Sequence, residues 1–123
     1  VLDASALLAF LFREAGQECV AEVVERSCIS TVNLCEVLDR FARDGHDPFE
    51  ALERIRETSI EIVHFDSDQA ALAAALVTTL RPKGLSFGDR ACLALAVSRS
   101  VPALTADRAW ADLDIGVEVR VIR

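Results

Sequence analysis

The stretch Val1-Leu2-Asp3-Ala4-Ser5-Ala6-Leu7-Leu8-Ala9-Phe10-Leu11-Phe12 decides the fold. Val1 and Leu2 read as the end of a buried strand. Asp3 then stands where a helix cap belongs, and Leu7, Leu8, Leu11 and Phe12 recur at helical spacing from Ser5 to Phe12. A strand that runs straight into an acid and a helix is the first half of a βαβ unit. The chain contains no Met and opens on what looks like the second half of a strand, so the native start is expected a few residues upstream of Val1.

Working outward, the alternation continues. A second helix is expected from Gln17 to Arg26 after Gly16, with Val20, Val23 and Val24 on its apolar face, followed by a short strand at Cys28 to Ser30. Ser30-Thr31 caps a third helix through Leu34, Val37, Leu38 and Phe41 that stops near Gly45, and Asp47-Pro48 opens a fourth through Phe49, Leu52 and Ile55. Ile60 to Phe65 reads as a strand. Asp66 with Gln69 forms a capping box for an Ala-rich helix ending near Leu80, before Arg81-Pro82-Lys83-Gly84 breaks the chain. Ser86 caps a helix through Ala91, Leu93, Leu95, Ala96 and Val97 that ends at Ser100 to Pro102; strands are expected at Ala103 to Thr105 and at Val117 to Ile122. Short strands alternating with helices predict an α/β sandwich of three layers, with a mainly parallel sheet of four or five strands between helices. No repeat, linker or low-complexity tract divides the 123 residues, which are read as one domain, 1–123.

Composition narrows the function. No apolar run approaches the roughly 18 residues that cross a bilayer, and the opening residues lack the pattern of a signal peptide, so a cytoplasmic protein without a membrane partner is expected. Cys19, Cys28, Cys35 and Cys92 have neither C-x-x-C spacing nor His partners at zinc distances and read as reduced, buried small hydrophobes. The net charge of −7 argues against a general basic coat for nucleic acid. That objection weakens if several acids are metal ligands, because a bound divalent cation inverts the local potential.

In open parallel α/β sheets, functional groups collect beyond the carboxyl ends of the strands. Asp3, Glu36, Asp89 and Asp107 all map to that edge, with Asp112 a little further on. Two carboxylates about 4 Å apart repel by roughly 4 kcal/mol at a typical effective dielectric, so converging acids call for a cation. His46 and His64 lie elsewhere in the sequence. An oxygen-only donor set favours Mg²⁺ or Mn²⁺ over zinc, and such a site suits hydrolysis of a phosphodiester by a metal-activated water. Ser5 and Thr105 are placed to hydrogen-bond these carboxylates, and Arg81, Lys83, Arg90 and Arg108 flank the third and fourth acids as candidate contacts to nucleic-acid phosphates. Each acid has a plain structural reading as well: Asp3 and Asp89 as helix caps, Glu36 as a solvated side chain, Asp107 as a turn residue. Neither a G-x-G-x-x-G nor a P-loop motif is present, and Asp3-Ala4-Ser5 has Ser5 where an aspartyl-phosphate phosphatase loop needs a second Asp.

Four segments in order resemble the PIN-domain ribonuclease toxins of VapC type. They are Val1-Leu-Asp3-Ala-Ser5, Ser30-Thr-Val-Asn33-Leu-Cys-Glu36-Val, Gly84-Leu-Ser86-Phe-Gly-Asp89-Arg-Ala-Cys-Leu-Ala, and Leu104-Thr105-Ala-Asp107-Arg-Ala-Trp110. The resemblance implies that Asp3, Glu36, Asp89 and Asp107 are the metal-binding quartet, with Thr105 the hydroxyl residue beside the last acid. It further implies an endoribonuclease using one or two Mg²⁺ or Mn²⁺ ions, usually dimeric, and held inactive by a cognate small antitoxin. The apolar helix Leu7 to Phe12 and the helix with Leu34, Leu38 and Phe41 are expected to expose a groove for the antitoxin, with core packing as the competing reading. A DNA-directed nuclease and a non-catalytic protein- or RNA-binding module of the same fold are the alternatives.

Overall fold

In the computed structural model, which describes Val1–Arg123, Leu2 is the residue on which the sheet closes. Its amide donates to the Cys28 carbonyl at 2.8 Å on one side, and it forms a parallel bridge with Leu104 on the other. Strands β1 (Cys28–Ser30) and β2 (Glu61–Val63) pair in parallel, as do β3 (Ala103–Thr105) and β4 (Val119–Val121). The opening residues join the two pairs, so the order across the sheet is β2, β1, Val1–Asp3, β3, β4. The expected opening strand is reduced to that single bridge. The strands expected over Ile60 to Phe65 and Val117 to Ile122 are also shorter, at three residues each.

Alternate residues of a strand face opposite sides, and here that rule builds the layers. Leu2, Ile29 and Leu104 enter one apolar cluster with Ala6, Leu7, Leu34, Val37 and Ile55, which come from α1 (Ala4–Leu11), α3 (Thr31–Arg43) and α4 (Pro48–Arg56). Their neighbours Val1, Cys28 and Ala103 enter the other cluster with Leu80, Cys92, Leu93, Leu95 and Trp110. That second layer is made by α5 (Ser67–Ala75), α6 (Val77–Leu80), α7 (Phe87–Arg99) and the turn at Arg108–Trp110. Residues Ala91 to Ala96 of α7 are all buried, and a helix apolar on every side must be covered on every side. Each large apolar side chain buried this way contributes about 1.5–3 kcal/mol.

The first half of the chain winds over one face of the sheet and the second half over the other. The reversal falls between Val1–Asp3 and β3, and ligands of open α/β sheets bind outside the carboxyl ends of the strands at that point. Asp3 and Thr105 stand there.

Several local expectations are corrected. The second helix runs only over α2 (Gln17–Ala21) and gives way to a 3₁₀ turn at Val24–Arg26, because the β-branched pair Val23-Val24 disfavours continuation and Val23 leaves helical geometry. The Ala-rich helix breaks at Leu76 before Val77-Thr78-Thr79, another β-branched run. Its capping box is half made: Asp66 accepts from the Gln69 amide at 2.8 Å, whereas the Gln69 Oε1 is buried without a partner. Cys28 and Cys92 are buried, but Cys19 and Cys35 are exposed, since each lies on the solvent side of a helix whose apolar stripe is carried by Val20 or by Leu34 and Val37. Leu7 and Leu34 belong to the core, while Leu8, Leu11, Phe12, Leu38 and Phe41 are half-buried.

Candidate functional site

Asp3 is the N-cap of α1 and is only 5% exposed. Its Oδ2 accepts from the Ser5 hydroxyl at 2.5 Å, the Thr105 hydroxyl at 3.0 Å and, more weakly, the Ser5 amide at 3.3 Å. Both hydroxyls also receive backbone amides of the loop after β3: Ser5 from Ala106 at 2.9 Å and Thr105 from Asp107 at 3.0 Å. The start of α1 is thereby stitched to the end of β3, and the acid of one is fixed against the other.

Glu36 sits one turn into α3, half-buried, with Asn33 three residues before it on the same side of the helix. The Asn33 amide nitrogen lies 3.1 Å from Glu36 Oε2, 3.0 Å from the Gly88 carbonyl and 3.4 Å from Asp3 Oδ1. Gly88 makes room for that carboxylate: a Cβ there would fall 2.2 Å from Glu36 Oε1 and push the side chain aside. The next residue, Asp89, completes a reciprocal capping box with Ser86, its Oδ2 accepting from the Ser86 amide at 2.6 Å. Asp107, exposed, caps the following turn by accepting from the Ala109 amide at 2.9 Å.

Asp3 and Asp89 are therefore the caps that their sequence context predicts, and Asp107, read as a turn residue, caps a turn as well, yet capping uses one oxygen of each. Asp89 and Asp107 each hold a backbone amide with one oxygen and leave the other without a hydrogen bond, and Glu36 Oε1 accepts none. Asp3 Oδ1 receives only the long contact from Asn33. A carboxylate has lone pairs for both tasks, so a cap and a metal ligand are compatible roles for the same residue.

The electrostatics tie the acids together. Burial pushes the Glu36 carboxyl above its ordinary range; the Asn33 hydrogen bond opposes this, and the charges of Asp3, Asp89 and Asp39 add to it. Burial likewise raises Asp89, against the Ser86 amide, with Asp3 and Asp107 contributing repulsion. No cation faces them. Cys92, fully buried beneath this edge, is raised well above its ordinary value by burial and by the Asp3 charge, which keeps it a thiol and a poor ligand. As they stand, no three of the acids converge closely enough to ligate one ion. The donor set is all-oxygen, with one uncommitted oxygen on each of Glu36, Asp89 and Asp107 and only a long contact on Asp3 Oδ1, and suits a hard divalent cation.

The remaining expected residues are dispersed. Asp112 is exposed and hydrogen-bonds none of the four acids. Arg81 and Lys83 are exposed on the turn before α7, and Arg108 is exposed with a 3.3 Å contact to the Arg123 carbonyl. Arg90 is committed elsewhere: it donates to the Ala73 carbonyl at 2.9 Å and covers the Phe87 ring. Sequence reasoning assigned no role to Asn33 or Gly88; the available signal was a polar residue on the buried side of α3, three positions before an acid.

A model of the PIN domain matches residues 1–116. The chain belongs to the PIN-domain family. Comparison with curated proteins returned no match. Among solved structures, this PIN domain is similar to a chain of the DNA-bound VapBC from Salmonella typhimurium, with a TM-score of 0.70 and 19% identity over 97% of this chain and 94% of that one. It is similar as well to a chain of a toxin-antitoxin complex from Klebsiella pneumoniae, with a TM-score of 0.71 and 17% identity over 95% and 97% of the two chains. A chain of VapBC-5 from Mycobacterium tuberculosis has a TM-score of 0.64 and 26% identity over 99% and 95%. No helix of this PIN domain is long and apolar enough to cross a membrane.

Proposed function

We propose that this PIN domain is a metal-dependent endoribonuclease, the toxin of a toxin-antitoxin pair, that hydrolyses RNA phosphodiester bonds at the edge formed by Asp3, Glu36, Asp89 and Asp107. The observation that carries the reading is that these acids repel one another, meet no protein cation, and each keep an oxygen free of strong hydrogen bonds. One or two Mg²⁺ or Mn²⁺ ions held there would supply the positive charge that a phosphodiester and its transition state require. The chain's own part is orientation. Ser5 and Thr105 fix Asp3, the Ser86 amide fixes Asp89, and the Ala109 amide fixes Asp107. Arg81, Lys83 and Arg108, exposed at the rim, would guide phosphates toward the acids.

The half-buried strip of Leu8, Leu11, Phe12, Leu38 and Phe41 is the proposed antitoxin face, with the Phe12 and Phe41 rings 5.3 Å apart and Arg40 over Phe12. The toxin assignment is supported by the similar structures, which are VapBC and toxin-antitoxin complexes. A homodimer is part of the same reading. One observation favours a second reading, a non-catalytic module: three of the acids already serve as caps, and no three converge.

Cleavage mapping on total cellular RNA separates the two. The wild type with Mn²⁺ is expected to give discrete cuts that vanish with chelator and with Asp89→Asn, a variant that keeps the capping oxygen. Equal cutting by both proteins would remove the acids from the chemistry, and no cutting by either would favour the module. Cuts in single-stranded DNA but not RNA would redirect the assignment to a DNA nuclease.

A further inference from the structure

Asn33 is fully buried, yet it makes poor sense as a core residue. Its neighbours on the same side of α3, Leu34 and Val37, are apolar, and its Oδ1 has no hydrogen-bond partner. An apolar residue of similar volume would avoid that orphaned oxygen. What the amide supplies is its donor. The nitrogen faces three acceptors on three separate elements: Asp3 at the cap of α1, Glu36 on α3, and the Gly88 carbonyl on α7. The orientation is fixed by chemistry, since turning the amide over would set its oxygen against two carboxylates and a carbonyl. Two N–H groups cannot fully satisfy three acceptors, and the longest contact, 3.4 Å, is the one to Asp3 Oδ1.

We infer that Asn33 is a positioning residue for the metal-binding edge, a neutral clip that holds Glu36 beside Asp3 and sets the start of α7, and so Asp89, at a fixed distance from both. It carries no charge and competes with no cation. It takes Glu36 by Oε2, and Oε1 is left resting over Gly88, where the missing side chain makes room for it. Gly88 is the other half of the device: a Cβ at that position would displace the same carboxylate that Asn33 holds.

This inference rests on the metal reading above and is tested with Mn²⁺ alone as probe, by following thermal stability as the ion is titrated. Asn33→Leu is expected to fold and, without metal, to melt somewhat below the wild type because Glu36 and Asp3 lose a donor, while its half-saturation by Mn²⁺ weakens about 10- to 100-fold, the usual effect of losing a group that orients a ligand. Gly88→Ala should weaken Mn²⁺ in the same direction with the helix intact, and it decides the matter if Asn33→Leu fails to fold. Gln69→Leu is the control. Gln69 is also a buried amide with an orphaned oxygen, but it contacts none of the acids, and its Mn²⁺ response should equal that of the wild type. For RNA cleavage, Asn33→Leu should recover at raised Mn²⁺, a shift in metal requirement that a merely structural residue would not give. A wild-type Mn²⁺ response retained unchanged in both Asn33→Leu and Gly88→Ala overturns this inference alone. A wild type with no Mn²⁺ response overturns it together with the metal reading.

Discussion

The two ends of the sheet treat acids in opposite ways. At the end where β2 begins and α7 finishes, Glu61 is held by Arg99 through contacts of 2.6 and 2.9 Å, and Glu118, just before β4, is held by Arg120. Hydrogen bonds from the arginines lower both glutamates below their ordinary range. At the end where the strands finish, Glu36 and Asp89 are raised by burial, and Asp3, Glu36, Asp89 and Asp107 meet backbone amides, hydroxyls and one carboxamide but no arginine. The chain has 13 basic residues for 20 acids, and it spends bidentate pairs on exposed glutamates while leaving its half-buried acids without a counter-charge. Charge shortage alone does not choose those places. The proposed metal site accounts for them, since an edge completed by a cation from outside needs no arginine.

The largest effect expected from breaking this contrast is on catalysis. Asp3→Asn keeps the cap of α1, because Asn caps as well as Asp, but removes a charged ligand. RNA cleavage with Mn²⁺ should fall at least about 100-fold, whereas Glu61→Gln should leave it unchanged. Comparable loss in both would mean that the edge has no special role.

A smaller effect concerns metal-free stability and its pH dependence. Glu36 and Asp89 hold protons more firmly in the folded state than in the unfolded one. Stability should therefore decline as pH rises from their ordinary carboxylate values through the raised folded ones, with the full cost present above that window. Glu36→Gln should raise the melting temperature in chelator at neutral pH and flatten that decline; a lower melting temperature would show that the charge is compensated in the fold.

The smallest effect lies at the opposite end, with the opposite sign. Glu61 is lowered by Arg99, so its contribution is present above the ordinary carboxylate range and is lost as pH falls through the lowered value. The pair is exposed, and Glu61→Gln should cost no more than about 1 kcal/mol at neutral pH, measured by denaturant unfolding.

Much of the fold was legible because strand and helix periods differ and because Asp47-Pro48, Ser86-x-x-Asp89 and Ser30-Thr31 carry their own start signals. What local patterns could not convey was the sidedness of the layers, which follows from the alternation of Val1 with Leu2, Cys28 with Ile29 and Ala103 with Leu104 only once those strands lie side by side. The breaks at Val23 and Leu76 were hidden for a related reason: apolar spacing continues through both. At the candidate site, the acids could be named from their order along the chain, but Asn33 could not be given a role, because its partners come from three elements far apart in sequence. Capping and ligation also looked like rival explanations in the sequence. The structure gives each acid two oxygens with different surroundings.

The most direct test is a Mn²⁺ titration of thermal stability in wild type, Asp3→Asn and Glu61→Gln. An ion that binds only the folded state at a concentration 100 times its dissociation constant stabilises by about 2.7 kcal/mol. The wild type and Glu61→Gln should rise together by a shift of that order, and Asp3→Asn should lose most of it. No rise in the wild type, or an equal rise in all three, would contradict the claim that the carboxyl edge of this sheet is completed by a metal.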